Sequence, residues 1–76
     1  MKEYNGHRSW NAWNVSLWLH NDPDWYEEWC WMPTEFSLDK AVEVLLGVCL
    51  PKKTPDGAVF NKLTIKLAIE ENWRNA

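Results

Sequence analysis

Four carboxylates stand close together in the chain, and carboxylates at such spacing are candidates for binding a metal ion or transferring protons. They are Asp22, Asp24, Glu27 and Glu28. However, Asp22 and Asp24 flank Pro23, an order that is typical of a helix start: a capping aspartate, a proline, and an acid at the positive end of the helix dipole. Glu27 and Glu28 are adjacent, so they point about 100° apart on a helix. We therefore predict a solvated acidic face, with no metal and no cofactor.

Cysteine and histidine side chains give a second set of candidate ligands. They are Cys30, Cys49, His7 and His20. Zinc sites use closely spaced pairs of ligands, and this chain has no C-x-x-C or H-x-x-x-H pair. Both cysteines have apolar neighbours, which predicts reduced thiols. His20 and Ser16 could touch on a helix, but no third residue orients the histidine, so we predict that the protein is not an enzyme.

Seven tryptophans in 76 residues are the most unusual feature of the composition. Six of them fall on helix faces that carry other apolar residues, which predicts that they are buried. These six are Trp10, Trp13, Trp18, Trp25, Trp29 and Trp73. Trp31 falls beside Glu27 on a helical wheel, opposite the other tryptophans of its helix, and one interpretation is an exposed ring. The other is that the helix ends before Trp31 and the ring folds inward, since helix ends fray.

The charge pattern places an acidic surface around Trp31. Residues 20–43 hold seven carboxylates against Lys40, a net charge of −6, whereas the whole chain carries −3. A tryptophan beside carboxylates is typical of an anchor in a protein interface, and the clustered basic face that duplex DNA binding needs is missing. The predicted partner-binding residues are Trp31, Glu27, Glu28, Tyr26, Glu35, Asp39 and Glu43.

Local signals predict the elements that must position these residues. Ser9, Asp22 and Ser37 are candidate caps, and each precedes a run with helical periodicity. Residues 54–57 carry proline, aspartate and glycine in the order that favours a tight turn. The predicted fold is all-α: a compact single domain over residues 1–76 with three to four short helices and at most one short extended segment near Val59 and Phe60. The predicted helices span about residues 10–20, 23–31, 38–49 and 62–74.

Two features of the sequence bear on its location. No apolar run approaches the ~18–20 residues of a membrane span, and the longest one, residues 44–50, is far shorter. The first ten residues lack the apolar segment of a signal peptide. The predicted location is the cytoplasm.

The N-terminal third resembles a family of small proteins of uncharacterised function from phages and other mobile genetic elements. The matching residues are Tyr4-Asn5-Gly6, Trp13-Asn14-Val15, Leu17-Trp18 and Asn21-Asp22. Several members also carry a Thr-Pro-Asp-Gly turn before a final helix, which residues 54–57 match. Residues 25–50 depart from the family pattern, and His7 and Trp10 stand where Trp and Tyr are more usual. The resemblance implies a phage-like setting, in which small proteins often neutralise host defences by binding a host protein.

Two classes of function remain from these observations. The first is a small phage or mobile-element protein that binds and inhibits a host defence protein, of anti-CRISPR or anti-restriction type, through the acidic and aromatic surface. Its partner would present a basic nucleic-acid-binding surface. The alternative is an aromatic binder of single-stranded nucleic acid or of a signalling nucleotide, in which tryptophans stack on bases and lysines hold phosphates. Those lysines are Lys52, Lys53, Lys62 and Lys66. The acidic middle of the chain disfavours this alternative.

Overall fold

The computed structural model describes residues 9–74 of the chain. Within this range there are five α-helices, one 3₁₀ turn and one π-helical turn. In chain order they are α1 (Trp10–Asn21), α2 (Pro23–Trp29), the 3₁₀ turn (Met32–Thr34), α3 (Leu38–Val44), the π turn (Leu45–Cys49), α4 (Lys62–Ile69) and α5 (Glu71–Arg74). The prediction of an all-α fold is confirmed. None of the helices in residues 9–74 combines the length and the apolar character that a membrane span requires.

The three predicted caps each begin a helix. The side-chain oxygens of Ser9, Asp22 and Ser37 accept a hydrogen bond from the backbone N–H three residues on, at 3.1 or 3.2 Å. α4 begins with a reciprocal capping box that the sequence analysis missed: Asn61 and Thr64 each bond the other's backbone N–H, both at 2.9 Å. These bonds satisfy N–H groups that no helical carbonyl can reach, so they fix where each helix starts.

Three predicted helix ends differ from the structure. α2 ends at Trp29 and not at Trp31, because Pro33 lacks an N–H and its ring would clash with the carbonyl four residues back. The helix predicted for residues 38–49 is α-helical only to Val44 and continues as the π turn. The last predicted helix is interrupted at Glu70, which separates α4 from α5.

A tight turn precedes α4. The Gly57 N–H donates to the Thr54 carbonyl at 2.9 Å, and Gly57 has a φ of 94°, a backbone conformation that favours glycine. Lys53 and Val59 then form an isolated antiparallel bridge. The extended segment predicted near Val59 and Phe60 is therefore present, as a single bridge and not as part of a sheet.

The core forms where α1 packs against α4. Val15 and Leu19 of α1 and Ile65 and Ile69 of α4 are fully buried in one cluster. The elements between these helices complete the cluster with Trp29, Met32, Ala41, Val42, Leu45, Ala58 and Phe60. α2 and α3 are therefore fixed to the α1–α4 pair through their buried faces, and their other faces remain accessible.

The prediction that six tryptophans are buried is wrong in part. Trp29 is fully buried, and Trp25 and Trp73 pack partly buried against the core. The three tryptophans of α1 lie outside the core cluster, and Trp10 is 37% exposed. The reason is that α1 has two apolar stripes, and the one that contains Val15 and Leu19 packs against α4. The other stripe, which contains Trp10, Trp13 and Leu17, therefore faces outward, and we call it the outward stripe of α1.

Candidate protein-binding surface

α2 positions the predicted surface residues by anchoring one of its faces in the core. The buried Trp29 ring makes edge contacts with Tyr26 and His20, with ring centroids 5.2 and 5.1 Å apart. Tyr26 is nevertheless 41% exposed, and Glu27 and Glu28 are exposed. Burial of Trp29 therefore orients the helix so that its carboxylates and part of the Tyr26 ring reach solvent.

Trp31 lies after α2, at the start of the 3₁₀ turn. The helix does end before Trp31, but the ring does not fold inward, and the residue is 46% exposed. The Trp31 ring rests against Phe36 with centroids 5.4 Å apart, and the Thr34 hydroxyl donates to the Trp31 carbonyl at 2.8 Å. Trp31 is thus a large, ordered, half-exposed side chain, which is the geometry of an interface anchor.

The carboxylates near Trp31 have no basic partner among the side chains that the structure describes. Glu27, Glu28 and Glu35 are exposed, and no ion pair joins them to a lysine in this part of the chain. Burial, and then the Glu28 carboxylate, raise the pKa of the Cys49 thiol. The thiol therefore stays protonated and unreactive at neutral pH. The negative charge of the surface remains available to a partner.

The last two predicted residues, Asp39 and Glu43, lie on a surface of mixed charge. They line one side of an open groove of about 400 Å³ between α3 and α4, and Lys62 and Lys66 line the other side. Two of the seven predicted residues therefore lie in this groove, and the other five lie within residues 26–35, on α2 and just after it. We name the five the α2 surface: Tyr26, Glu27, Glu28, Trp31 and Glu35.

Four of the residues that carry the family resemblance, Asn14, Trp18, Thr54 and Asp56, meet in one hydrogen-bonded network; residues 4–6 lie outside the described part of the chain. The buried Asn14 donates to Asp56 Oδ2 at 3.0 Å and accepts from the Thr54 hydroxyl at 2.7 Å. Trp18 Nε1–H donates to the same Asp56 oxygen at 2.9 Å, and the Ala58 N–H donates to Thr54 Oγ1 at 3.0 Å. The sequence predicts the turn at residues 54–57, but not that this turn is bonded to Asn14. The matching residues thus fix the turn to α1.

Asp56 makes the stability of this network depend on pH. Hydrogen bonds from Asn14 and then from Trp18 hold the pKa of the Asp56 carboxyl below its ordinary value. Such a carboxylate stabilises the fold above the pKa of the unfolded chain, about 3.9, and this contribution is lost as pH falls through the lower folded pKa. Thermal unfolding followed between about pH 6 and about pH 2 should show a larger loss in acid for the wild type than for Asp56→Asn. Identical pH profiles for the two proteins would contradict this role.

The outward stripe of α1 is a second accessible apolar feature. Trp10 and Leu17 are 37% and 38% exposed, and Trp13 is partly buried. At the end of the stripe, Leu17, Trp18 and Pro23 border a shallow pocket of about 350 Å³. The sequence predicts burial here because residues 9–21 carry no charge. The missed signal is Asn14, a polar side chain on the buried face of α1.

The candidate ligands and the serine–histidine pair have other roles or locations. His20 Nε2 lies 2.7 Å from the Ala68 carbonyl, so this nitrogen donates and ties α1 to α4. Cys30 is exposed and Cys49 lies near Glu28, while His7 lies outside the described residues. Within residues 9–74, no three His, Cys, Asp or Glu side chains are arranged to hold a metal ion.

Comparison with known proteins gives one family. A protein-family model described as a family of unknown function (DUF7249) matches residues 1–75. No curated protein and no solved structure matches the chain. The family match spans every helix described above, from α1 to α5.

Proposed function

We propose that this chain, which belongs to the family of unknown function DUF7249, binds a partner protein. The binding would use the acidic and aromatic side chains of the α2 surface. The observation that carries the proposal is the 46% exposure of Trp31, which is close in sequence to exposed carboxylates that have no basic partner among the described side chains. Large aromatic side chains dominate the energy of protein interfaces when they enter a pocket on the partner. Trp31 is suited to this role because its contacts with Phe36 and Thr34 hold it in place before binding.

The charge of the α2 surface defines the chemistry of the partner. The three carboxylates of this surface, Glu27, Glu28 and Glu35, are exposed and it holds no basic residue, and a surface of one sign attracts a partner of the opposite sign. Such attraction speeds encounter and weakens as salt increases, whereas burial of an aromatic anchor slows dissociation. A basic nucleic-acid-binding surface of a host protein would match this pattern.

The biological setting of the proposal comes from the resemblance to proteins of phages and mobile elements. We infer that the partner belongs to a host defence complex and that the chain acts in the host bacterial cytoplasm as an inhibitor of anti-CRISPR or anti-restriction type. The inhibitor would cover the basic surface on which the defence protein binds its nucleic acid. No chemical step is required, because occlusion alone would prevent that binding.

A second candidate function is supported by the position of the outward stripe of α1. The Val59 N–H donates to Asn11 Oδ1 at 3.3 Å, and Val59 pairs with Lys53, so a lysine lies near the end of α1 where Trp10 is exposed. An exposed aromatic ring near basic side chains is the combination that binds single-stranded nucleic acid or a nucleotide. The test below separates this candidate from protein binding.

The double variant Glu27→Lys/Trp31→Ala is expected to abolish partner binding, because it reverses one charge and removes the anchor. Loss of an interface hot spot costs at least about 2 kcal/mol, which corresponds to about 30-fold weaker binding. The measurements are capture of a host protein on the immobilised chain, with its identification, and plating of phage on a host that carries a CRISPR or restriction system. The variant should capture no partner and should not protect phage.

Two control variants are compared with the double variant, after all of them have been shown to melt as the wild type does. Trp10→Ala/Glu71→Lys makes the same chemical changes on other exposed residues and should bind as the wild type does. Lys52→Glu/Lys53→Glu tests the second candidate. If activity is lost only in the lysine variant, the protein-binding proposal is wrong and nucleic-acid binding replaces it. Equal loss in the Trp10 control would also overturn the proposal.

A further inference from the structure

The groove between α3 and α4 carries charges of opposite sign on its two sides. Asp39 and Glu43 are four residues apart on α3, and Lys62 and Lys66 are four residues apart on α4. Residues at this spacing lie on the same face of a helix, so each pair forms one short row along the groove. All four side chains are exposed, and Leu63, beside the lysines, is 55% exposed.

The two charged rows do not neutralise each other across the groove. No ion pair joins Asp39 or Glu43 to a lysine among the described side chains, and the space between the rows remains open, at about 400 Å³. Val42 also lines the groove but is only 5% exposed, so its accessible apolar surface comes mainly from Leu63. The groove thus has an acidic row on one side and a basic row with Leu63 on the other.

We propose that this groove is the contact surface of a symmetric dimer formed by two copies of the chain. A two-fold axis that runs along the groove places the acidic row of each copy opposite the basic row of the other. On each side of the axis an acidic row of one copy then faces a basic row of the other. Each Leu63 lies toward the groove of the other copy. A two-fold axis across the groove would place acid against acid and lysine against lysine, so charge selects one orientation.

The size of the groove sets the strength of this association. Six residues line it, whereas a stable interface uses roughly 20–30 residues on each side. The dimer is therefore weak, depends on protein concentration, and dissociates in high salt because its charged rows are exposed. None of the α2 surface residues lines the groove, so the dimer can fail without affecting the proposed function, and the reverse also holds.

The first test is the mass of the wild-type protein in solution, measured by sedimentation equilibrium. At low salt the average mass should rise from 9.0 kDa toward twice that value between about 10 µM and about 1 mM. At about 1 M salt, where the screening length is only about 3 Å, the protein should remain monomeric. A protein that stays at 9.0 kDa over this whole range at low salt would overturn the proposal.

A charge exchange tests whether the two copies pair through their grooves. Asp39→Lys/Glu43→Lys has an all-basic groove, and Lys62→Glu/Lys66→Glu has an all-acidic groove. Each variant alone should be monomeric, because its groove repels a second copy. An equimolar mixture should form a heterodimer at least as strong as the wild-type dimer, since every facing pair is then of opposite charge. Failure of the mixture to associate would contradict the proposed pairing.

A matched control separates groove pairing from general attraction between oppositely charged proteins. Each glutamate or aspartate changed to lysine adds two charges, so the groove variants carry net charges of +1 and −7 instead of −3. Glu27→Lys/Glu28→Lys and Lys52→Glu/Lys53→Glu carry the same net charges but keep the groove intact. These controls should self-associate as the wild type does and should gain nothing on mixing. If the control mixture gains association as the groove mixture does, the proposal is wrong.

Discussion

Replacing Trp29 with alanine is expected to destabilise the fold more than any other single tryptophan substitution. Trp29 is fully buried, its ring contacts Tyr26 and His20, and its Nε1–H donates to the Leu19 carbonyl at 2.8 Å. Removing a buried tryptophan side chain costs about 3–5 kcal/mol. A chain of this length has a total free energy of unfolding of about 4–11 kcal/mol, so Trp29→Ala should be largely unfolded or should melt far below the wild type. Circular dichroism with urea titration measures this loss.

The matched control for this result is Trp31→Ala, two residues further along the chain. Trp31 is half-exposed and packs on one side against Phe36, so its removal should cost less than about 1 kcal/mol. The pair of variants separates a tryptophan that holds the fold from one that is available to a partner. Equal destabilisation by both substitutions would show that Trp31 is a core residue and would remove the basis of the α2 surface.

The second large effect is expected for Thr54→Val, which removes one hydroxyl while keeping the shape of the side chain. The Thr54 hydroxyl donates to Asn14 Oδ1 and accepts from the Ala58 N–H, and both bonds are buried. Valine leaves the two partner groups without a hydrogen bond, at about 1–3 kcal/mol each. We therefore expect a loss of about 2–6 kcal/mol in the free energy of unfolding, measured by urea titration.

Thr54→Ser is the control for the network, because serine keeps the hydroxyl and loses one methyl group. It should cost about 1 kcal/mol, the amount expected for a small deletion in the interior. If the valine variant is as stable as the serine variant, the bonds from Thr54 to Asn14 and Ala58 contribute little. The turn would then be held to α1 by other contacts.

The helix starts could be predicted from the sequence because the interactions that fix them are local. Ser9, Asp22 and Ser37 each bond a backbone N–H three residues away, and Pro23 has the φ that a first helical residue needs. The end of α2 was missed by two residues because the effect of Pro33 extends four residues back along the chain. These local rules account for most of the fold.

Which tryptophans are buried and which are exposed could not be predicted from the sequence. α1 has two apolar stripes of similar strength, and only the packing of α4 against Val15 and Leu19 decides which one is buried. The exposure of Trp31 was also left open, because it depends on the contact with Phe36 across the 3₁₀ turn. Packing between helices decides the case of α1, and packing across a short turn decides that of Trp31.

The candidate site was predicted as a set of seven residues, and all seven are exposed. Their arrangement was not predicted, because Asp39 and Glu43 face lysines that lie more than 18 residues away in the sequence. The network of Asn14 with Asp56 likewise joins residues that are 42 positions apart. The bonds from Asn14 and Trp18 to Asp56 and from Thr54 to Asn14 hold the turn against α1. The α2 surface lies in residues 25–50, outside this network.

The most direct measurement of the central claim is site-specific photo-crosslinking in a living host. A photoreactive benzoylphenylalanine in place of Trp31 should crosslink to one host protein with a basic surface, because this position would lie inside the interface. The same group in place of Trp10, which is exposed to a similar extent on α1, should give no crosslink to that protein. If position 31 gives no specific crosslink while position 10 captures a protein or a nucleic acid, the α2 surface is not the binding site.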